Sequence, residues 1–297
     1  MKLKRRAFLK AASFGSAGLG LTLNVPLGAA APEETSFQVR RPNMHLGLVT
    51  YNLAADWDIA TIIKNCEATQ FEGVELRTTH AHKVEVNLSK DERQDVRKRF
   101  ADSKVRLMGL GSIFDYHTPD QAKLRKDIEA TKEYIILAED VGATGVKVRP
   151  NALPKDVPQD KTLEQIGRSL RELGDFARQH GQVIRLEVHG TGTSFPPNIR
   201  KILDVADHPS LGACWNCNAT DLAGEGWDHN FDLLKARIFS VHMGDLFQEN
   251  YPYRKLLNGL NDIHFTGFCL AEIPPSADPV RVMKYYRALW LSYQGLL

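Results

Sequence analysis

Cysteine is scarce in this sequence, with four residues among 297. So few cysteines do not make a disulfide scaffold, and the chain is long enough to fold around one large hydrophobic core. No run of about 20 consistently apolar residues is present, which excludes a membrane-spanning helix. The patterns G-x-S-x-G and G-x-x-x-x-G-K-[ST] are also missing, so neither a serine hydrolase of that type nor a P-loop is indicated.

Acidic residues are missing from the first 32 positions, which instead carry Lys2, Lys4, Arg5, Arg6 and Lys10. A weakly apolar run over 11–27 and a patch of small residues follow them. This order predicts an export signal over residues 1–30, cleaved after Ala30. The stretch "RRAFLK" resembles a twin-arginine signal, which implies the twin-arginine translocation machinery as a partner of the precursor and a periplasmic or otherwise exported product.

The sequence also lacks a basic stripe outside this leader. Cleavage after Ala30 would remove five basic residues and change the formal net charge from +2 to −3. Affinity for phosphate backbones comes from clustered Lys and Arg, so the mature chain is not expected to bind nucleic acid.

What the chain does have is a regular alternation of apolar runs and amphipathic stretches. After a polar linker (31–42), short apolar runs lie at 45–50, 73–77, 104–111, 145–149, 182–190, 211–216, 238–243 and 267–273. Helical patterns fill the gaps at 58–69, 90–102, 121–141, 161–180, 197–206, 231–235, 254–260 and 279–293. Eight strand–helix repeats predict an α/β fold, a single (β/α)8 TIM barrel over 43–297.

Within the predicted strands, apolar and polar residues alternate. In "RLEVH", Leu186 and Val188 are apolar, whereas Arg185, Glu187 and His189 are polar. Alternate side chains of a barrel strand face the helices and the lumen, so the polar set faces inward. Inward charges are expected at the C-terminal mouth, where barrel enzymes carry their active sites.

Four inward residues end consecutive strands: Glu187, Asn216, His242 and Glu272, at separations of 29, 26 and 30 residues. Two carboxylates, an imidazole and an amide oxygen at one rim predict a site for one divalent metal ion. Mn, Co, Zn and Mg all suit these ligands. The alternative is four separate rim residues that form salt bridges or cap loops.

The stretches "RLEVHG", "CWN", "SVHMGDL" and "GFCLAEI" resemble the xylose isomerase-like TIM barrels, a superfamily that includes sugar isomerases, ketose epimerases and inosose dehydratases. "GVELRTTHAH" and "YPYRKLL" are similar to exported bacterial members of that group. The resemblance implies a metal held by Glu187, His242 and Glu272, with Asn216 in place of an aspartate. It also implies that Glu187 and Glu272 are catalytic and shuttle protons. Ala219 stands where epimerases carry a substrate-binding histidine, which is a departure from the pattern of the ketose epimerases.

Further candidates for substrate binding surround this set: Glu75, Arg77, His80, His82, Lys147, Arg149, His189 and Asp245. His80 and His82 are either a functional pair or part of a polar loop. Lys147 and Arg149 either bind substrate oxygens or neutralise Glu75 and Glu187. His189 is a substrate contact or a supporting residue, and Asp245 orients His242 or caps a helix.

The stretch "CWNCNATD" raises the question of a metal knuckle or a redox pair. Strand phase places Cys214 and Asn216 on the lumen side, and no second Cys-x-x-Cys completes a zinc knuckle. A disulfide between Cys214 and Cys217 stays open as an alternative, with Asn218 and Asp221 shaping the loop.

Three functions remain after this reading. The first is a metal-dependent isomerase or epimerase that removes a proton next to a carbonyl of a small carbohydrate, through an enediolate. The second is a hydratase, dehydratase or lyase that uses the same metal site on a keto-sugar, and the third is an exported sugar-binding protein. An endonuclease is disfavoured by the acidic mature chain, and a homo-oligomer is possible for barrels of this kind.

Overall fold

The computed structural model describes residues 42–297. The predicted signal peptide (1–30) and all but the last residue of the predicted linker (31–42) lie outside the described residues. Within residues 42–297, no helix combines the length and apolar character that crossing a membrane requires.

Eight parallel strands close into a barrel in sequence order, because β1 pairs with both β2 and β8. The strands are β1 (His45–Val49), β2 (Gly73–Arg77), β3 (Arg106–Asp115), β4 (Gly145–Arg149), β5 (Val183–Glu187), β6 (Leu211–Asn216), β7 (Ile238–Met243) and β8 (Phe268–Ala271). A helix follows each strand, so the predicted single (β/α)8 barrel is confirmed.

The helices are α1 (Ile59–Thr69), α2 (Lys90–Ala101), α3 (Gln121–Val141), α4 (Gln159–Gln179), α5 (Pro196–Ala206), α6 (Trp227–Leu234), α7 (Tyr253–Asp262) and α8 (Pro279–Tyr293). Four of them, including α8 at Asp278, start where a side chain accepts a hydrogen bond from an otherwise unpaired backbone N–H of the first turn. Asp58 begins α1, Ser89 begins α2 with Glu92 completing a capping box, and Asp120 begins α3. These caps fix the helix starts locally.

Three predicted boundaries were wrong by three residues or more. Strand β3 continues to Asp115, four residues past its predicted end, and a glycine accompanies each of the other two. Strand β5 ends at Glu187 and not at Gly190, because Gly190 has a φ of +95°, which breaks the extended chain. Helix α6 begins at Trp227, four residues before the predicted start, directly after Gly226 at a φ of +89°. In both places glycine permits a backbone conformation that the apolar pattern does not reveal.

The inward and outward faces of β6 follow the predicted alternation. Trp215 points to the helical layer, where its ring centroid lies 5.7 Å from that of Phe231 and 6.5 Å from that of Trp227. Cys214 is therefore buried on the lumen side, and both Cys214 and Cys217 are free thiols. The alternative of a disulfide between them is not realised.

The barrel lumen is divided between an apolar part and a charged part. The apolar part is a small cluster, separate from the main core, formed by Val49, Met108, Phe268 and Leu270. The charged part consists of the buried residues Glu75, Lys147, Arg185, Glu187 and His242. Charges therefore continue below the mouth, where the sequence pattern had not placed them.

Glycines on β3 make room for this charged layer. A Cβ atom at Gly111 would lie 2.9 Å from Oε1 of Glu75, and one at Gly109 would lie 3.2 Å from Nη1 of Arg185. A larger residue at Gly111 would press directly on the carboxylate. The two glycines of "GLGS" thus leave space for the charged side chains of Glu75 and Arg185 on neighbouring strands.

Candidate active site

A cavity of about 340 Å³ opens at the C-terminal mouth of the barrel. Nine of the predicted site residues line it: Glu75, Arg77, Lys147, Arg149, Glu187, His189, Asn216, His242 and Glu272. Val49, Tyr51 and Asn218 complete the lining. The ends of all the strands except β3 and their following residues thus supply one polar site.

Three potential metal ligands converge in this cavity. One ligand atom each from Glu187, His242 and Glu272 can be chosen so that all lie within 4.8 Å of one another. Nδ1 of His242 lies 3.3 Å from Oε2 of Glu272 and 3.8 Å from Oε1 of Glu187. This nitrogen is buried and has no hydrogen-bond partner in the described structure.

Lys147 occupies one side of Glu187. Its Nζ donates to Oε2 of Glu187 at 2.6 Å, and both side chains are almost completely buried. Burial disfavours the charged carboxylate, but the ammonium of Lys147 together with His242 outweighs this effect and holds the pKa of Glu187 below its usual range. Of the two predicted alternatives for Lys147, the structure therefore shows the one in which it neutralises Glu187.

Asn216 lies on the other side of Glu187. Its Nδ2 donates to Oε1 of Glu187 at 3.2 Å. An aspartate in this place would repel Glu187 unless a cation lay between them, whereas the amide donates a hydrogen bond to it. Rotation of the amide by 180° presents the carbonyl oxygen instead, so the residue can either support Glu187 or act as a ligand.

Glu75 lies deeper in the lumen, beneath His242. It is fully buried, and its Oε1 lies 3.3 Å from Nε2 of His242, the nitrogen opposite the one that faces Glu272. Burial opposes ionisation of Glu75, yet the neighbouring His242, Lys147 and Arg185 keep its pKa below the usual value. A carboxylate on the far nitrogen fixes the orientation of a histidine ligand and raises its basicity. The geometry thus supports a positioning role for Glu75, while its predicted contact with substrate stays a prediction.

We expect Glu75→Gln to weaken Mn²⁺ binding about 10- to 100-fold, because His242 loses the carboxylate that orients it. Titration calorimetry of the metal-free protein measures this directly. Glu72→Gln is the matched control, since Glu72 makes a similar carboxylate–histidine pair with His45 at 2.7 Å, just before β2 and at the opposite end of the barrel. Equal affinities for Mn²⁺ in the parent and Glu75→Gln proteins would contradict the positioning role.

Three predicted site residues lie outside the cavity lining. His82 is buried, its Nε2 bonds to the backbone carbonyl of Arg77 at 2.7 Å, and its Nδ1 accepts from the backbone N–H of Val84 at 3.0 Å. It fastens the loop after β2. His80 bonds to Oγ1 of Thr50, and burial together with Arg77 lowers its pKa to about 4.

Asp245 is the third residue outside the lining. It borders a separate apolar depression with Phe247, Pro274 and Tyr285. Burial raises the pKa of its carboxyl group. The structure shows no contact of Asp245 with His242, so the predicted orienting role is not supported.

Tyr51 is a cavity residue that the sequence pattern missed. It follows β1, and its ring lies 5.4 Å from Cζ of Arg77. The only sequence signal for Tyr51 was its place directly after a predicted strand end. In the loop after β6, Asn218 and Asp221, which the sequence predicts to shape this loop, form a capping box. Tyr251 donates to Asp221 at 2.7 Å, while burial raises the pKa of Asp221 to about 7.

The donor set fits a divalent cation. Two carboxylates and an imidazole with an open Nδ1 match the ligand types of Mn, Co and Zn, with Asn216 beside them as a fourth oxygen donor. Because Lys147 holds Oε2 of Glu187, the oxygen of that carboxylate placed for a metal is Oε1, which faces Nδ1 of His242 and accepts from Asn216. These atoms do not select one metal.

A closed barrel with a polar, carboxylate-rich cavity at the carboxyl ends of its strands defines the class of (β/α)8 proteins with a site at the mouth. The family model described as xylose isomerase-like TIM barrel matches residues 63–289. The chain belongs to this family, as the sequence resemblance predicts. A search of curated proteins gives no match.

Solved structures share this fold at low identity. Over 84% of this chain and 99% of theirs, 3-keto-D-glucoside 4-epimerase from E. coli is similar at 13% identity (TM-score 0.69), and the zinc-bound IolI protein at 16% (TM-score 0.71). The probable 3-DHS dehydratase AsbF from Bacillus anthracis is 17% identical over 83% of this chain and 98% of its own, with a TM-score of 0.62. These similarities show the fold alone.

Proposed function

We propose that the protein is a divalent-metal-dependent enzyme that isomerises or epimerises a small carbohydrate by removing a proton next to a carbonyl group. One observation carries this proposal. Glu187, His242 and Glu272 place three ligand atoms within 4.8 Å of one another at the wall of a cavity at the mouth of the barrel. The epimerase and the zinc-bound protein among the similar structures support the reaction class and the cation.

The two catalytic candidates differ in their freedom to accept a proton. Glu187 is almost fully buried, and its oxygens already accept hydrogen bonds from Lys147 and Asn216. Glu272 is 24% exposed at the cavity wall, and among the described residues His242 is its only Lys, Arg or His contact within 4.0 Å. Glu272 therefore has the oxygen that takes the proton from substrate, and Glu187 is the fixed anion of the site.

When bound, a divalent ion supplies positive charge that stabilises the anion formed as the proton leaves carbon. Lys147 holds a proton on Nζ within the same cavity, beside Glu187. Lys147 lies on the side of the cavity formed by β4 and β5, whereas Glu272 follows β8 and lies away from it. A proton acceptor on one side and a donor on the other suit removal of one proton from carbon by Glu272 and delivery of another by Lys147, after which Glu272 releases its proton to solvent and Lys147 takes one up.

A second candidate is addition or loss of water at a keto-sugar with the same residues. Lys147 favours it, because an ammonium in a buried cavity can protonate a departing hydroxyl group. The probable 3-DHS dehydratase among the similar structures also supports this candidate. A sugar-binding protein without catalysis is the third candidate, and Asn216 is its main support.

Metal analysis and isotope exchange test the proposal. We expect the purified protein to bind about one equivalent of Mn²⁺, Co²⁺ or Zn²⁺, and then to exchange a carbon-bound hydrogen of a ketose or 3-keto-glucoside with D₂O. Mass spectrometry and NMR of the product identify the reaction. Deuterium at one carbon without a change in the number of oxygens supports isomerisation or epimerisation, whereas a gain or loss of water supports the second candidate.

The third candidate predicts sugar binding without exchange. A protein that binds no divalent ion and needs none for turnover would contradict both enzymatic proposals. The metal-free protein, prepared with a chelator and reloaded, is the control for activity that comes from a contaminating enzyme.

A further inference from the structure

Two arginines of the cavity wall have no carboxylate partner. Arg77 ends β2 and Arg149 ends β4, so they stand on either side of the end of β3. In residues 42–297, no Asp or Glu oxygen lies within 4.0 Å of either guanidinium group. Both side chains are only partly exposed.

The hydrogen bonds of these arginines use only part of each guanidinium group. Nη1 of Arg77 donates to the backbone carbonyl of Thr78 at 2.9 Å and to Oγ1 of Thr79 at 3.0 Å. Nη2 of Arg149 donates to the carbonyl of Ile113 at 3.1 Å. Nε of Arg149 is buried and has no partner in the described structure. Buried donors of this kind are costly unless an acceptor reaches them.

The acidic residue nearest in the strand ladder does not serve as that acceptor. Asp115 pairs with Arg149 in register across β3 and β4. Its carboxylate instead lies 3.1 Å from Nδ1 of His117 and accepts from Nδ2 of Asn151 at 3.1 Å. It is also absent from the cavity lining.

The charge of the cavity leads to the same conclusion. Apart from its two histidines, the lining holds three basic residues and three carboxylates, and Lys147 is already paired with Glu187. These three positive and three negative side-chain charges cancel when no cation is bound. A bound divalent ion therefore leaves the cavity with an excess of two positive charges. Asn216 contributes no negative charge to offset them. A polar cavity with a net positive field attracts and retains anions.

We propose that Arg77 and Arg149 form a subsite for an anionic group, a carboxylate or phosphate, on the carbohydrate substrate. The inference rests on the proposed function and narrows it to an acidic sugar. The planar fork of a guanidinium group matches carboxylate and phosphate oxygens with two parallel hydrogen bonds. The anionic group bound on the β2 and β4 side leaves the rest of the sugar to face Glu187 and Glu272.

Calorimetry with matched sugars tests the subsite. D-glucuronate, D-glucose 6-phosphate and D-glucose are titrated into the metal-free and the Mn²⁺-loaded protein at constant ionic strength. We expect at least one acidic sugar to bind about 10-fold or more tightly than glucose in both forms, and the ranking of the two shows whether carboxylate or phosphate is preferred. The metal-free arm separates binding by arginine from chelation of Mn²⁺.

Substitution identifies the residues responsible. We expect Arg149→Gln and Arg77→Gln each to weaken binding of the preferred acidic sugar about 10-fold, as for loss of a charge-assisted hydrogen bond, and to leave glucose binding unchanged. Arg168→Gln, whose side chain is 75% exposed on α4, is the control. Circular dichroism spectra and thermal unfolding verify that each variant is folded.

Two results would overturn the subsite: no preference for either acidic sugar, or equal losses for acidic and neutral sugars in the arginine variants. Failure of the proposed function gives a different pattern. In that case Mn²⁺ does not bind or support exchange, while the arginine-dependent preference for the acidic sugar persists in the metal-free protein.

Discussion

Glu272→Gln is expected to reduce turnover about 10³-fold or more, the largest effect of a single substitution on activity that the site predicts. The amide cannot accept the proton that the carboxylate takes from carbon, and it also removes a negative charge from the ligand cluster. Of the two proposed catalytic carboxylates, only Glu272 has an oxygen not already engaged by Lys147 or Asn216. Initial rates with the substrate found in the isotope screen measure the loss.

Metal dependence separates the two roles of Glu272. If it were a ligand only, excess Mn²⁺ would restore turnover to the variant, whereas a proton acceptor cannot be replaced in this way. We therefore expect kcat to stay low at saturating metal. Glu133→Gln, an exposed carboxylate on α3, is the matched control and should retain full activity. A loss below about 10-fold would remove Glu272 from the proton transfer.

The fold and the central part of the site follow from local rules that the sequence displays. Strand phase placed Glu187, His242 and Glu272 on the lumen side, and spacing of about one strand–helix unit placed them on neighbouring strands. A closed barrel leaves no other arrangement for such residues than convergence at the mouth. Helix starts at Asp58, Ser89 and Asp120 were equally readable, because a cap is a local hydrogen bond.

Residues in loops were less predictable, since alternation ends where the strand ends. His80 and His82 would share a face in an extended chain, and the sequence therefore pairs them. In the structure Thr79 and Lys83 have φ values of 66° and 57°, which turn the chain and direct His82 into backbone hydrogen bonds. The positions of Asp245 and Tyr51 also depend on loop conformations, which no periodic sequence pattern encodes.

The sequence also left open how the inward charges pair. Lys147, Arg149 and Arg185 all face the lumen side in a barrel, and any of them can neutralise Glu75 or Glu187 on phase alone. Which charges pair depends on how deep each side chain lies in the lumen and on the space around it. Glycines at 109 and 111 admit Glu75 and Arg185 low in the lumen, while Lys147 reaches Glu187. Predicting these charge pairs therefore requires knowledge of the register of neighbouring strands.

Lys147→Met is expected to lower the unfolding free energy of the metal-free protein by about 3–5 kcal/mol, because it leaves the buried carboxylate of Glu187 without its counter-ion. The pair is separated by 2.6 Å, and the two side chains are 8% and 5% exposed. Urea unfolding at neutral pH measures the loss. In the double variant Lys147→Met with Glu187→Gln, part of the stability should return, since no unpaired charge remains buried.

The same substitution should strengthen metal binding. The ammonium of Lys147 repels a nearby cation and holds Oε2 of Glu187, so its removal frees an oxygen ligand and lowers the electrostatic cost of the ion. Mn²⁺ should therefore bind Lys147→Met more tightly than the parent protein and restore more of its stability, as linkage requires. Lys98→Met, which removes an exposed lysine paired with Asp102 on α2, is the control and should change neither quantity appreciably. Unchanged stability would show that the pair is not ionised in the folded protein, and unchanged Mn²⁺ affinity would show that Lys147 does not compete with the metal for Glu187.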